Sequence, residues 1–299
     1  MAICALCREE SDLVVSHIIP RFVGKQLKAD SPNPFLRNTQ RPDQRIQDVH
    51  KERLLCRSCE ERFSRFEAAF SRDIFTPTMA GEQLDDLIIT PEHRAFCASL
   101  AWRELVMTLS RRGNDEVSDY DEADWEAMVR RETELRAFLL GEEPHPADLR
   151  HHLFCSRSTA ETEQLGLNAL LNLTAGIWIR GDPEAPDRLY GLAFLNGLVL
   201  ITLLRSTPEM DDEWKDGSTL IEPGVMWRNH NQAIYDGYFG RMLKGMAQQV
   251  LEEMAAMSPA QKSAIDRSLA SVDVEQWLAS PHGQAVLQDF LNREKFGRT

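Results

Sequence analysis

The sequence predicts an α+β protein: a cysteine-bearing N-terminal unit, then a mostly helical region, then a small antiparallel sheet. Three observations predict it. Two Cys-x-x-Cys turns, Cys4–Cys7 and Cys56–Cys59, bracket the first sixty residues. Well-started helical patterns run over 90–112 and 121–140. Apolar stretches bounded by turn residues fill 151–205. The expected units are 1–75, 76–150 and 151–299, the last with a regulatory or partner-binding role.

Composition excludes several classes. The 299 residues are 42% hydrophobic and 27% charged, which is ordinary for a folded domain and foreign to collagen-like or low-complexity chains. The longest apolar run, Leu189 to Leu204, is shorter than the roughly 20 residues of a membrane helix. Asn196-Gly197 near its centre reads as a hairpin turn. With no secretory pattern at the start, the expectation is a cytoplasmic protein with no membrane partner. Charge is uneven. Residues 1–75 carry 13 Lys and Arg against 11 Asp and Glu, whereas the whole chain is at −13. A nucleic-acid surface, if the chain has one, is therefore expected to be local and N-terminal. Arg21, Lys25, Lys28, Arg37, Arg41 and Arg45 are its candidates, unless they are simply a solvated loop.

The elements follow in order. Leu13 to Ile19 is an apolar segment, and Pro20 marks its end. A basic loop with three prolines spans about 30–47. Phe63, Phe66 and Phe70 recur at helical spacing after the second knuckle. Thr90-Pro91-Glu92 opens the next helix with an N-cap and a first-turn proline. The break at Gly113-Asn114-Asp115 leads to a helix with an acid-rich first turn. His151 to Cys155, Ala169 to Arg180 and the arms around Asn196-Gly197 read as strands. Residues 206–230 read as loop, with an acidic patch at Glu209, Asp211, Asp212 and Glu213. Helical pattern resumes over 231–257. Ser258-Pro259-Ala260-Gln261 caps a further helix, and Ser280-Pro281 opens a last one ending near Phe296.

The chemistry lies in the knuckles. Paired Cys-x-x-Cys turns supply the four thiolates of a closed tetrahedral zinc site, which holds a fold and leaves no position for catalysis. The expected ligands are Cys4, Cys7, Cys56 and Cys59; the alternative is four unmetallated thiols. The 48 residues between Cys7 and Cys56 require an inserted element. Cys97 and Cys155 read as small buried hydrophobes. His151, His152 and Cys155 are a weak metal set, because adjacent strand residues face opposite ways. The sequence carries no Gly-rich phosphate loop, Gly-x-Ser-x-Gly elbow or dinucleotide fingerprint.

Val14-Val15-Ser16-His17-Ile18-Ile19-Pro20 after the first knuckle, with Leu54-Leu55-Cys56-Arg57-Ser58-Cys59-Glu60 forming the second, resembles the HNH (ββα-metal, His-Me finger) endonuclease family braced by a four-cysteine zinc. The resemblance covers about residues 4–70. It implies a treble-clef-like ββα unit and metal-dependent phosphodiester hydrolysis in DNA, in a setting such as bacterial defence or a toxin. His17 falls on the general base. Glu60 falls on a ligand position for a catalytic Mg²⁺ or Mn²⁺, and Arg21 and Lys25 would clamp phosphate. The chain departs from the pattern at Ser16, often Asp or His in the family, and at Glu60, often His. The family Asn is missing before the second knuckle, where His50 and Glu52 are the candidates in its place. Glu67 lies on the face of Glu60 and would turn toward the metal or toward solvent. The alternative reading is a non-catalytic zinc scaffold or adaptor that binds nucleic acid or a protein partner. A homo-oligomer is compatible with either.

Overall fold

The computed structural model describes residues 1–31, 35–112, 120–155, 168–181, 187–206, 217–228, 237–270, 272–280 and 283–289. The expectations for Gly113-Asn114-Asp115, for the acidic patch at Glu209, Asp211, Asp212 and Glu213, and for the chain beyond 289 lie outside these residues.

The chain is mixed helix and antiparallel sheet. Strands β1 (Ala2–Ile3) and β2 (Glu10–Ser11) close the first knuckle. Strand β3 (Leu13–His17) runs antiparallel to β6 (Lys51–Cys56), in a register from Leu13 opposite Cys56 to His17 opposite Lys51. Between them lie helix α1 (Arg21–Asp30) and a hairpin of β4 (Leu36–Asn38) and β5 (Arg41–Ile46). The expected basic loop over 30–47 is thus largely a hairpin. A two-stranded hairpin leaves both strands as edges, so Pro42 can sit within β5 where a central strand would need its N–H. Helix α1 was not anticipated beyond the stop at Pro20. That proline is its N-cap, and Val23 and Leu27 are its buried i, i+4 pair.

Helix α2 (Arg57–Phe70) starts directly from β6 and continues through a π-turn (Ser71–Phe75) into α3 (Thr76–Met79). Helices α4 (Pro91–Leu109) and α5 (Glu122–Leu140) pack on each other as the expected hairpin. Thr90 and Asp121 cap them through reciprocal bonds with His93 and Asp124. Gly141 ends α5 at φ 80°, the left-handed cap that lacks a Cβ penalty.

A five-stranded antiparallel sheet follows, in the order β11 (Thr219–Leu220), β7 (Arg150–Cys155), β10 (Leu198–Arg205), β9 (Leu189–Leu195), β8 (Ala175–Gly181). Asn196 and Gly197 form the turn between β9 and β10 at φ 55° and 103°, as their pairing predicts. Segment 169–180 is only half strand, because helix α6 (Asn168–Leu173) occupies its first part. Leu170 and Leu171 bury there with α7 (Gly237–Ala255) against one sheet face. The sequence ends its described course in α8 (Pro259–Leu269), α9 (Val274–Leu278) and a helical stretch over 283–289.

The apolar run Leu189–Leu204 is explained by burial on both sides. Tyr190, Leu192, Phe194, Val199, Ile201 and Leu203 face α6 and α7. Leu189, Leu195, Leu198, Leu200 and Leu204 belong to the cores shared with α2 and α4. The N-terminal unit also joins these cores. Cys4, Leu6, Leu55, Cys59 and Phe63 lie in one buried cluster with Trp102, Leu105, Met128 and Leu135. Arg8 donates to Glu132 at 3.0 Å, and Trp102 Nε1 donates to the same oxygen at 3.1 Å. No helix among the described residues is long and apolar enough to cross a membrane.

Two outcomes follow. Phe63 sits edge-on to Trp102 at 5.6 Å and is wholly buried. Phe63→Ala is expected to cost about 3–5 kcal/mol in urea unfolding. Burial, helped by Arg150, holds His152 down to about 4, while burial and then Arg94 do the same for His145. Unfolded imidazoles take up protons near 6.5, so the unfolded state binds more protons between those values. Stability should be complete above about pH 6.5 and fall as pH drops toward 4, by on the order of 3 kcal/mol for His152 alone. Thermal melts across that range check it.

Candidate metal centre and active site

The first knuckle is built by tight backbone bonds. Arg8 N–H donates to Cys4 O at 3.0 Å and Cys4 N–H to Glu9 O at 2.9 Å, with Arg8 held at φ 63°. Ala5 N–H donates to Leu54 O at 3.0 Å, which fastens this turn to β6 beside the second knuckle. The second knuckle is the junction of β6 with α2, so a strand end and a helix N-terminus place Cys56 and Cys59.

The four thiols converge, with all sulphurs within 4.8 Å of one another. Cys7 Sγ and Cys56 Sγ are 3.9 Å apart. A tetrahedral zinc with bonds of about 2.3 Å needs sulphurs about 3.8 Å apart, so the spacing fits. Cys56 N–H donates to Cys4 Sγ at 3.3 Å, the kind of bond that steadies a thiolate ligand. Burial opposes ionisation of Cys56, but hydrogen bonds from Ser58 and Cys59 hold it down to about 6. Burial and the neighbouring sulphurs of Cys56 and Cys4 push Cys59 up. A divalent cation would resolve this crowding by ionising all four. The set can hold a metal such as zinc, and Cys4, Cys56 and Cys59 are buried with the core around them.

His17 ends β3 at the opposite end of the ribbon. Four residues of strand, about 14 Å, separate its rung from that of Cys56. Its Nε2 lies 3.1 Å from Asp48 Oδ2, and its side chain is 20% exposed. Lys51 Nζ donates to the same carboxylate oxygen at 3.2 Å, and Val49 N–H donates to Asp48 Oδ1 at 3.0 Å. Burial works against the charge on Asp48, yet His17, Lys51 and the Val49 N–H outweigh it and hold the carboxyl below its usual range. Gly24 of α1 makes room for this turn, since a Cβ there would meet Val49 Cγ1 at 2.6 Å. Arg21 and Lys25 project from the exposed side of α1, beginning four residues after His17.

The other candidates fall differently. Ser16, one residue from His17 and so on the other face of β3, is buried, and its Oγ has no hydrogen-bond partner. Glu60 lies on the first turn of α2, next to Cys59, with Oε2 buried and without a hydrogen-bond partner. Glu67 faces neither metal nor open solvent. It accepts from Arg103 at 2.6 Å, and Arg103 is buried with its guanidinium 4.9 Å from the centre of Phe63. His50 and Glu52 pair with each other at 3.1 Å on the exposed side. Lys28 donates to Gln47 O, and Arg37 to Pro42 O, so these two basic residues brace the insertion. Among the described residues, the cysteine quartet is the one group of three or more His, Cys, Asp or Glu whose ligand atoms converge. Asp48 is the residue that sequence reasoning passed over. Its signal was local: an acidic residue in the turn before β6, across the ribbon from His17.

Stripping the metal with a strong chelator is expected to lower the melting temperature and abolish cooperative unfolding of the N-terminal half, because the quartet lies in the core shared with α4 and α5. Cys59→Ser should reproduce much of that loss, read as zinc content by mass spectrometry and as the melt.

Comparison with family models, with curated proteins and with solved structures finds no match for this chain.

Proposed function

We propose that this chain is a metal-dependent endonuclease of the HNH (ββα-metal) class. It would hydrolyse phosphodiester bonds in DNA, with a treble-clef-like zinc knuckle that holds the fold and takes no part in the reaction. The observation that carries the proposal is the His17–Asp48 pair. An antiparallel ribbon pinned at its other end by four cysteines presents a partly exposed imidazole, with a carboxylate on Nε2.

The pair has the logic of a base and its orienter. Nε2–H donates to Asp48, which leaves the Nδ1 lone pair to take a proton from water. Asp48, kept ionised by Lys51 and by the Val49 N–H, stabilises the imidazolium that results. Arg21 and Lys25 would hold the phosphate through charge-assisted bonds. Glu60 would hold a divalent ion, Mg²⁺ or Mn²⁺, through its buried and unpartnered carboxylate oxygen. One or two carboxylates with several waters is the usual protein share for Mg²⁺. Such an ion, when bound, supplies charge stabilisation at the phosphate.

A second reading is favoured by one observation. Ser16, at the position that is often a metal-ligating Asp or His in the resembled family, is buried on the face of β3 opposite His17. In this reading the unit is a zinc scaffold that binds nucleic acid or protein without cutting.

Plasmid cleavage in Mg²⁺ or Mn²⁺ separates the two. The wild-type chain should nick or linearise DNA, and His17→Ala at equal zinc content should lose about 10²–10⁴ in rate, the usual share of a general base. Asp48→Asn should keep the fold and lose on the order of 10² in rate, because the amide no longer selects the productive tautomer. Absence of cleavage by a folded, zinc-loaded wild type would leave the scaffold.

A further inference from the structure

A second polar site lies away from His17, where the start of α4, the turn after α5, β7 and the segment after β11 meet. A cavity of about 320 Å³ there is lined by Arg94, His145, Arg150, His151, Ile221 and Glu222. That volume is at the lower end of small-ligand pockets, about 300–1,000 Å³.

Its polar groups are arranged as a receptor for negative charge. Arg94 is partly buried, and its Nε is shielded from solvent without a hydrogen-bond partner. Its guanidinium stands 5.8 Å from the centre of Phe138, whose ring also meets His145 edge-on at 5.0 Å. His145 Nε2 and His151 Nε2 are 3.0 Å apart, and His151 Nδ1 is 2.9 Å from Thr202 Oγ1. The rings are therefore fixed in orientation by β10 and by each other. Arg150 reaches the same wall, tied to the carbonyls of Ala147 and Leu149. Against two guanidiniums the lining offers one carboxylate, Glu222, and that residue is exposed; burial keeps the two imidazoles neutral. An oxyanion in the cavity would meet the Arg94 guanidinium through a charge-assisted hydrogen bond. The two guanidiniums argue against a cation between the two histidines, although their spacing would suit one.

The geometry points to a binding site for a small phosphate monoester, with Arg94 as the principal donor and the neutral His145–His151 pair as part of its polar wall. The site is independent of the nuclease reading, because none of its residues belongs to the ribbon, the knuckles or α1.

Calorimetric titration of the zinc-loaded chain with AMP and, separately, with inorganic phosphate tests this at pH 7.5. Saturable binding of AMP that weakens at least about tenfold in Arg94→Ala, one charge-assisted hydrogen bond's worth, supports it. Binding of phosphate as tight as that of AMP, with the same loss in Arg94→Ala, also supports an oxyanion site and makes free phosphate the ligand. Circular dichroism and zinc content show whether Arg94→Ala stays folded. If it does not, Arg94→Gln and His151→Gln, which keep much of the packing, carry the same expectation. Two results overturn the proposal. One is no saturable binding of either probe at 10 mM, roughly the weakest affinity a built site would show. The other is binding that survives the Arg94 and His151 changes but is lost in Arg21→Ala, which would move it to the surface of α1.

Discussion

Four thiols from two turns, separated by most of the N-terminal unit in sequence, come within 4.8 Å of one another. Closing so long a loop has a large entropic cost, and four neighbouring sulphurs resist joint ionisation. A tetrahedral cation answers both requirements. The rest of the N-terminal half is arranged around that closure. It fixes the start of β3 against the end of β6, and so sets the register that puts His17 opposite Lys51. It also fixes the origin of α2, whose Phe63 and Phe70 enter the two cores shared with α4.

The consequence for chemistry is a division of labour along one ribbon. The cysteine end packs into the core. The far end is partly exposed and carries a histidine, an aspartate and a lysine in one hydrogen-bonded chain. Helix α1 leaves that end with two exposed basic residues, and the contact of Gly24 with Val49 keeps it close to the Asp48 turn. Buried charges nearby are committed elsewhere. Glu67 is held by Arg103, and Glu132 by Arg8 and Trp102. These pairs bind the N-terminal unit to the helical hairpin and contribute no reactive group.

The features legible in the sequence are those set by local chemistry. Cys-x-x-Cys spacing, Thr90-Pro91, the acidic start of α5 and Asn196-Gly197 each encode a turn or cap within a few residues, and each appears where it was expected. Features that depend on distant partners were hidden. Asp48 meets His17 across 31 positions. Leu170 and Leu171 form a helix because α7 and the sheet face bury them, whereas their apolar pattern alone reads equally well as strand. Helix α1 was obscured by Pro20, which both ends the apolar segment and caps the helix that follows. The lining of the Arg94 cavity comes from three separate stretches, none of which carries a motif.

The nuclease proposal turns on His17 working with a divalent ion held at Glu60. Titrating Mn²⁺ into the zinc-loaded chain while recording the histidine ring resonances by NMR tests it most directly. Selective paramagnetic broadening of His17 at one Mn²⁺ per chain, abolished by Glu60→Gln, is the expected result, with the signals of His145, His151 and His152 unchanged. Sharp His17 signals at saturating Mn²⁺ would contradict it and leave a zinc scaffold in place of an enzyme.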